Sequence, residues 1–228
     1  MATVLLVRHG RTTANASGTL AGRTPGVELD ELGRQQAGDA GARLVGLRLA
    51  DLVTSPLERC RQTATALLAQ QPNEGARAIL VEDDLSECDY GDWQGRSLAD
   101  LAKEPLWAVV QSQPAAVTFP GGESMAAMQG RAVAAVRSHD ARIAAAAGPH
   151  AVWAAVSHGD IIKAILADAL GMHLDLFQRL DVHPASVSIV HYGAARPSVL
   201  GVNTVAGDLS WLGPTPGETV GGGTGAAD

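Results

Sequence analysis

Two short apolar runs set the frame for this chain. Residues 4–7 and 151–156 each stop abruptly at polar groups, Arg8-His9-Gly10 after the first and Ser157-His158-Gly159 after the second. Runs of this length are too short for a buried helix and read as strands covered on both faces. Residues 51–55 read as a second strand of the same kind, and residues 78–81 as a third. Between them lie helical patterns. Asp30 can cap a helix to about Leu47, with Leu32, Ala40, Leu44 and Leu47 on its apolar side. Pro56 suits the first turn of a helix carrying Leu57, Ala64, Leu67 and Leu68, which stops near Gln71-Pro72. Residues 123–147 form a long alanine-rich helix after the break at Pro120-Gly121-Gly122. Residues 161–170 form another, and residues 187–192 and 199–203 are final strands. Strand alternating with helix predicts an α/β fold, a mostly parallel sheet flanked by helices on both faces.

The pattern is irregular from Glu87 to about Phe119, with Trp93, Pro105, Trp107 and Pro114. It reads as a small cap inserted at about 88–122, with a short helix around 98–101 and the tryptophans as its packing core. After Gly213 the composition turns to Gly, Pro and Thr, which cannot bury a core, so residues 213–228 read as a disordered tail. No repeat or linker divides residues 1–212, which are expected to form one domain.

Aromatic residues are only 4% of the chain, so aliphatic side chains and closely packed alanine helices must fill the core. The net charge of -7 argues against nucleic acid as a partner, which needs a basic face. It leaves room for an anionic small molecule, because a few clustered arginines reverse the local field. The cysteines are Cys60 and Cys88, too few for a zinc pattern, and they read as reduced thiols of a cytoplasmic protein. The first apolar run is too short for a signal peptide, and no apolar stretch approaches the roughly 20 residues that span a bilayer, so no membrane partner is expected.

Open α/β sheets bind ligands beyond the carboxyl ends of their strands. Four strand ends or following loops carry reactive groups here: Arg8-His9, Ser55 with Arg59, Glu87, and His158-Gly159. A neutral imidazole can attack phosphorus, which makes His9 the candidate nucleophile. A lone strand histidine is more often structural, but an arginine and a histidine together at an apolar strand end need a reason. Arg8 and Arg59 can hold phosphate oxygens bidentately. Arg61 suits an exposed helix position better than Arg59 does. His158 can donate to a phosphoryl oxygen, and Gly159 opens a helix whose N–H can face an anion. Glu87 is the candidate general acid and base, with Asp83, Asp84 and Asp89 as local rivals.

Arg8-His9-Gly10 with Asn15, Ser55-Pro56-Leu57-Glu58-Arg59, Leu85-Ser86-Glu87 and Ser157-His158-Gly159, in this order, resemble the histidine phosphatase superfamily and its phosphoglycerate-mutase-like branch. The resemblance covers residues 3–203. It implies a phosphohistidine on His9, a phosphate pocket of Arg8, Arg59 and His158 helped by Asn15, and Glu87 as proton donor. It implies no metal and no cofactor. Gly22 matches a glycine lining the substrate side, and Arg11 could contact a second anionic group. Pro120-Gly121-Gly122-Glu123-Ser124 resembles a loop common in the family's phosphatases, but Glu123 and Ser124 read more simply as helix-start residues. A homodimer follows only by analogy.

The departures from the mutases are specific. Ala21 stands where a hydroxyl residue is usual, and Cys88 where an arginine usually follows the glutamate. Between Glu87 and Pro120 the only cations are Arg96 and Lys103. The pocket for a substrate carboxylate looks incomplete, so a phosphatase acting on a small phosphomonoester is expected. A phosphomutase is the alternative within the fold, and a non-catalytic phospholigand-binding module the alternative outside enzymes. A redox role for Cys60 and Cys88 would require that they meet.

Overall fold

The computed structural model describes residues 2–71, 75–76 and 78–205. Six strands form one sheet in the order β3-β2-β4-β1-β5-β6. They are β1 (Thr3–Arg8), β2 (Leu49–Thr54), β3 (Ile79–Val81), β4 (Val152–Ser157), β5 (Val187–Tyr192) and β6 (Pro197–Thr204). The first four pair in parallel, and β5 and β6 join antiparallel on the β1 side. The expected architecture is therefore present.

Side chains alternate across the central strands with the period of two that a pleated strand imposes. Val4 and Leu6 of β1 point into a core with Trp153 and Ala155 of β4. That core is closed by helices α6 (Met125–Ala147) and α7 (Gly159–Ala169) through Met128, Ala132, Val136, Ile161 and Ile165. Leu5 and Val7 point the other way, with Ala154 and Val156, against Ala40, Cys60, Ala64 and Leu67 of α2 (Glu31–Ala42) and α3 (Glu58–Leu68). Central strands buried on both faces thus explain the unbroken apolar runs.

Several boundaries move. Helix α2 ends at Ala42 rather than near Leu47, although Leu44 still packs into the core. Leu57 is the N-cap of α3, so Pro56 lies before the helix and not in its first turn. Helix α7 starts at Gly159, two residues earlier than its apolar pattern suggests, which brings Asp160 into its first turn. Helix α3 ends at Leu68, before the stop expected near Gln71-Pro72, and Pro72 lies outside the described residues, as does the expected tail at 213–228.

The cap region is more regular than its sequence implies. Besides α4 (Leu98–Leu101), where a short helix is expected, it holds α5 (Pro105–Ser112). Pro105 sits in the first turn of α5, where its missing N–H is no loss. Trp93 stacks on Trp107 with ring centroids 6.2 Å apart and meets Phe119 edge-on, so both tryptophans are the packing core of this segment.

Candidate active site

The parallel pairing of β1 with β4 sets Arg8 opposite Ser157. The two residues that follow, His9 and His158, leave the sheet side by side with ring centroids 5.2 Å apart. About 150 residues of chain separate them, and strand order alone brings them together. Ser55 follows β2, the other neighbour of β4, and its N–H donates to the Val156 carbonyl at 2.9 Å.

The hydrogen-bond partners assign both imidazole tautomers. The Nδ1 of His9 faces the Gly10 carbonyl at 2.7 Å. A carbonyl only accepts, so Nδ1 carries the proton and Nε2 holds the lone pair. Arg59 Nε donates to that lone pair at 3.3 Å. Arg59 Nη2 donates to Nδ1 of His158 at 3.2 Å and to the Gly22 carbonyl at 2.7 Å. The Nε2–H of His158 is therefore left to donate to the Ser55 hydroxyl, 2.8 Å away. A hydroxyl can accept or donate, so the Ser55 contact tolerates either tautomer of His158. Arg59 Nη1 is buried and has no hydrogen-bond partner among the described residues. A guanidinium N–H left open inside a polar pocket is a ready donor to an incoming oxyanion.

Burial sets the protonation states. Arg8 is nearly inaccessible, and Nη1 donates to the Val182 carbonyl at 2.7 Å. Burial lowers its pKa to about 10, which still leaves it charged near neutral pH. Burial and the two arginines hold His9 well below the usual imidazole range, so it is neutral near pH 7. The same causes, burial first and Arg59 second, keep His158 neutral. Glu87 is buried with Oε2 3.9 Å from His158 Nδ1, and its Oε1 accepts the Cys88 N–H at 2.9 Å. Burial, then the charge of Asp160, raises its pKa to about 7. A carboxyl poised there can give and take a proton near neutrality. Asp83, Asp84 and Asp89 are not drawn into this cluster: Asp83 and Asp84 form a one-turn 3-10 helix, and Asp89 faces Arg23.

The remaining candidates are placed less directly. Asn15 uses its side-chain oxygen to accept from the N–H and hydroxyl of Thr12, capping the short helix α1 (Thr13–Ala16). Its amide nitrogen is what it could offer a phosphate. Arg11 donates Nε to Asp30 at 2.8 Å, and Asp30 also caps α2, so Arg11 is tied to a structural carboxylate. Gly22 acts through its carbonyl on Arg59. Its φ of 52° lies in the left-handed region, and an added Cβ would run into the Gln94 side chain. Gly159 opens the 11-residue helix α7 with His158 as N-cap.

Sequence reasoning missed the support beneath Glu87. Glu123 precedes α6, and the cap of that helix is Ser124 alone, accepting from Ala127 N–H. Glu123 Oε1 instead takes Arg131 at 2.6 Å, Arg23 at 2.9 Å and the Asp89 N–H at 2.8 Å. Both arginines also donate to the Glu87 carbonyl, at 2.8 Å from Arg23 and 3.1 Å from Arg131. Arg131 reaches the Asp84 and Ser86 carbonyls as well. Arg23 and Arg131 look like surface cations in the sequence, and no local signal marks them.

Among the described residues no group of three or more His, Cys, Asp or Glu side chains is arranged to hold a metal ion. No described helix is long and apolar enough to cross a membrane. Cys60 and Cys88 are free and buried, and burial drives both thiols away from thiolate, Cys60 to about 12. Such thiols are inert, which removes support for a redox role.

The family model of the histidine phosphatase superfamily (branch 1) matches residues 4–205. The chain belongs to this superfamily. A bifunctional protein of Mycobacterium tuberculosis is 35% identical over 195 residues, covering 84% of this chain and 50% of its own length. A probable phosphoglycerate mutase of Proteus mirabilis is 30% identical over 217 residues, 93% of this chain and 95% of its own. Among solved structures, a mycobacterial glucosyl-3-phosphoglycerate phosphatase in complex with VO3 superposes with a TM-score of 0.78 at 27% identity, covering 88% of this chain and 98% of that one. The chain spans about half the length of the first curated relatives that it matches.

Proposed function

We propose that this chain hydrolyses a small phosphomonoester through a phosphohistidine on His9. The observation that carries this reading is the hydrogen bonding of His9, with Nδ1–H on the Gly10 carbonyl and the Nε2 lone pair turned to Arg59. Phosphoryl oxygens would replace the histidines as acceptors for Arg59, which frees that lone pair. His9 Nε2 then attacks phosphorus as the ester P–O bond breaks. The departing alkoxide takes the proton of Glu87. In the second half, water gives its proton to the Glu87 carboxylate and attacks phosphorus, the P–N bond breaks, and inorganic phosphate leaves. Arg8, Arg59 and a donating His158 compensate the charge on the equatorial oxygens, so the reaction is expected to proceed without a metal.

The cap favours hydrolysis over mutase chemistry. Arg96 pairs with Glu104 at 2.6 Å and Lys103 with Asp100 at 2.8 Å, so both cap cations are already met by carboxylates. A leaving group with a carboxylate or second phosphate finds no such partner ready there. The second reading, a phosphomutase, rests on the Proteus mirabilis relative, whose similarity runs nearly end to end.

A panel of phosphorylated metabolites scored for phosphate release, with and without EDTA, tests the proposal. Turnover by wild type, none by His9→Ala, and an acid-labile phosphoenzyme on brief mixing are expected. Turnover surviving in His9→Ala would refute it. Isomerisation of 3-phosphoglycerate with a bisphosphate primer, without phosphate release, would favour the mutase.

A further inference from the structure

The peptide group between Gly22 and Arg23 is gripped at both ends. Its carbonyl accepts Arg59 Nη2 at 2.7 Å, and its N–H donates to Gln94 Oε1 at 2.5 Å. A trans peptide is planar, so its C=O and N–H point in opposite directions and neither turns without the other. The other hydrogen bonds of Arg59 go to the two imidazoles, from Nε to His9 and from Nη2 to His158. Phosphoryl oxygens would take those places. The Gly22 carbonyl is then the acceptor that still orients the guanidinium.

A peptide turns most easily beside glycine, which has no Cβ to bar either hand. A turned peptide would present its N–H to Arg59, donor against donor. Gln94 opposes this. Its side chain lies so close over Gly22 that a Cβ there would meet Oε1. Asp89 Oδ1 accepts Gln94 Nε2 at 3.3 Å. A carboxylate only accepts, so the amide nitrogen stays with Asp89 and the oxygen faces Arg23. The backbone around Gln94 is fixed as well. Trp93 packs against Trp107 and Phe119, the Gly95 N–H donates to the Leu20 carbonyl at 2.8 Å, and the Leu20 N–H donates to the Arg96 carbonyl at 2.9 Å.

We propose that Gln94 is a positioning residue for the phosphate clamp: from the cap it latches the 22–23 peptide and so fixes the carbonyl that aims Arg59. This deepens the phosphomonoesterase reading and rests on it. The Arg23 side chain leaves the same peptide for the Glu87 carbonyl at 2.8 Å, so a slipped latch would also reach the proton donor. The choice of ester separates the two routes. An alkyl phosphate such as glycerol 2-phosphate needs a protonated leaving group, whereas p-nitrophenyl phosphate, an aryl ester, expels a stable phenolate without one.

Gln94→Met keeps the length of the side chain and loses both hydrogen bonds. It is expected to weaken inorganic phosphate, measured by calorimetry, about tenfold, and to lower kcat/KM on p-nitrophenyl phosphate by a similar factor. In an Arg59→Ala background the same substitution should lower kcat/KM less than about twofold, because the residue it acts through is gone. A side chain that merely supports the fold would cost the same in both backgrounds. Phosphate bound by Gln94→Met as tightly as by wild type, or an equal loss of kcat/KM with and without Arg59, would overturn the proposal. Should Gln94→Met not fold, Gln94→Ala, which opens space over Gly22, takes its place with the same expectations. If wild type binds phosphate but hydrolyses no ester, the phosphomonoesterase reading fails and the phosphate Kd alone decides this one. If wild type binds no phosphate, both fall.

Discussion

Arg59 donates from Nε to the lone pair of His9 at 3.3 Å, so the proposed clamp and the proposed nucleophile restrain each other. The same guanidinium reaches His158 and the Gly22 carbonyl. One side chain on the first turn of a helix thus orients both imidazoles and carries the open N–H that awaits an oxyanion. Replacing it disturbs three things together.

Arg59→Ala is therefore expected to lower kcat/KM by about a thousandfold. Arg59→Lys should recover little of this, since an ammonium cannot serve His9, His158 and Gly22 in one plane. Steady-state kinetics on the best phosphomonoester, together with the Kd for vanadate, would check it. Recovery by lysine to near wild-type rates would contradict the bidentate role.

The pH profile follows from the two protonation states. His9 must be neutral, and burial with Arg59 and Arg8 puts its protonation well below the usual imidazole range, so the acid limb reflects it and the second ionisation of the ester near pH 6. Glu87 must be protonated for the first step, and its pKa of about 7 sets the basic limb. kcat/KM on an alkyl ester should fall above about pH 7. In Glu87→Gln the fall with an alkyl ester should be large at every pH, and an aryl ester should retain most of its phosphorylation rate.

Stability should respond to Glu87 in the opposite sense. Its folded pKa is raised, from an ordinary carboxyl value to about 7, chiefly by burial. The folded state then binds the extra proton, so stability falls as pH rises from the unfolded value through the folded one. Glu87→Gln removes that penalty, and thermal melts at pH 8 should show the variant more stable by up to about 3 kcal/mol. A variant less stable at pH 8 than wild type would argue against a raised pKa for the buried Glu87.

Gly22→Ala combines two faults, a φ of 52° and a Cβ driven into Gln94. A cost of about 1–3 kcal/mol is expected. Because the Gly22 carbonyl holds Arg59, activity should fall by more than the folded fraction explains. Denaturant melts beside active-site titration would separate the two effects.

Glu123→Ala should loosen the Glu87 loop. Burial pushes Glu123 up, but the hydrogen bonds of Arg131 and the Asp89 N–H pull its pKa below the ordinary carboxyl value. Its stabilisation is thus present above the unfolded pKa and lost as pH falls through the folded one. The variant should unfold at lower denaturant than wild type at pH 7, with the gap narrowing toward acid. It should also lose activity on alkyl esters, since the Glu87 carbonyl keeps its arginines only if they are held.

Much of this was legible in the chain. The apolar runs before Arg8 and His158 forecast buried parallel strands, and the polar residues at their ends forecast which groups meet at one sheet edge. Helix α5 was not legible, because Pro105 and a mixed polar pattern resemble an irregular segment until the stack of Trp93 on Trp107 fixes it. Glu123 was read as part of a helix start because its two arginines are remote in sequence, 100 residues before it for Arg23 and 8 after it for Arg131. Asp160 looks like an ordinary helix-start aspartate in the sequence, and only the packing around α7 buries it.

By itself the sequence determined what local chemistry and periodicity determine: the strands, their order along the chain, and His9, Arg8, Arg59 and His158 as polar groups at strand ends or just beyond them. Only the tertiary structure decided which nitrogen of each histidine holds its proton, how burial raises the pKa of Glu87, and what holds Glu87 in place. Those depend on burial and on partners brought by the sheet from distant parts of the chain. Protonation in a low-dielectric interior is set by neighbours in space, and spacing along a sequence does not encode them.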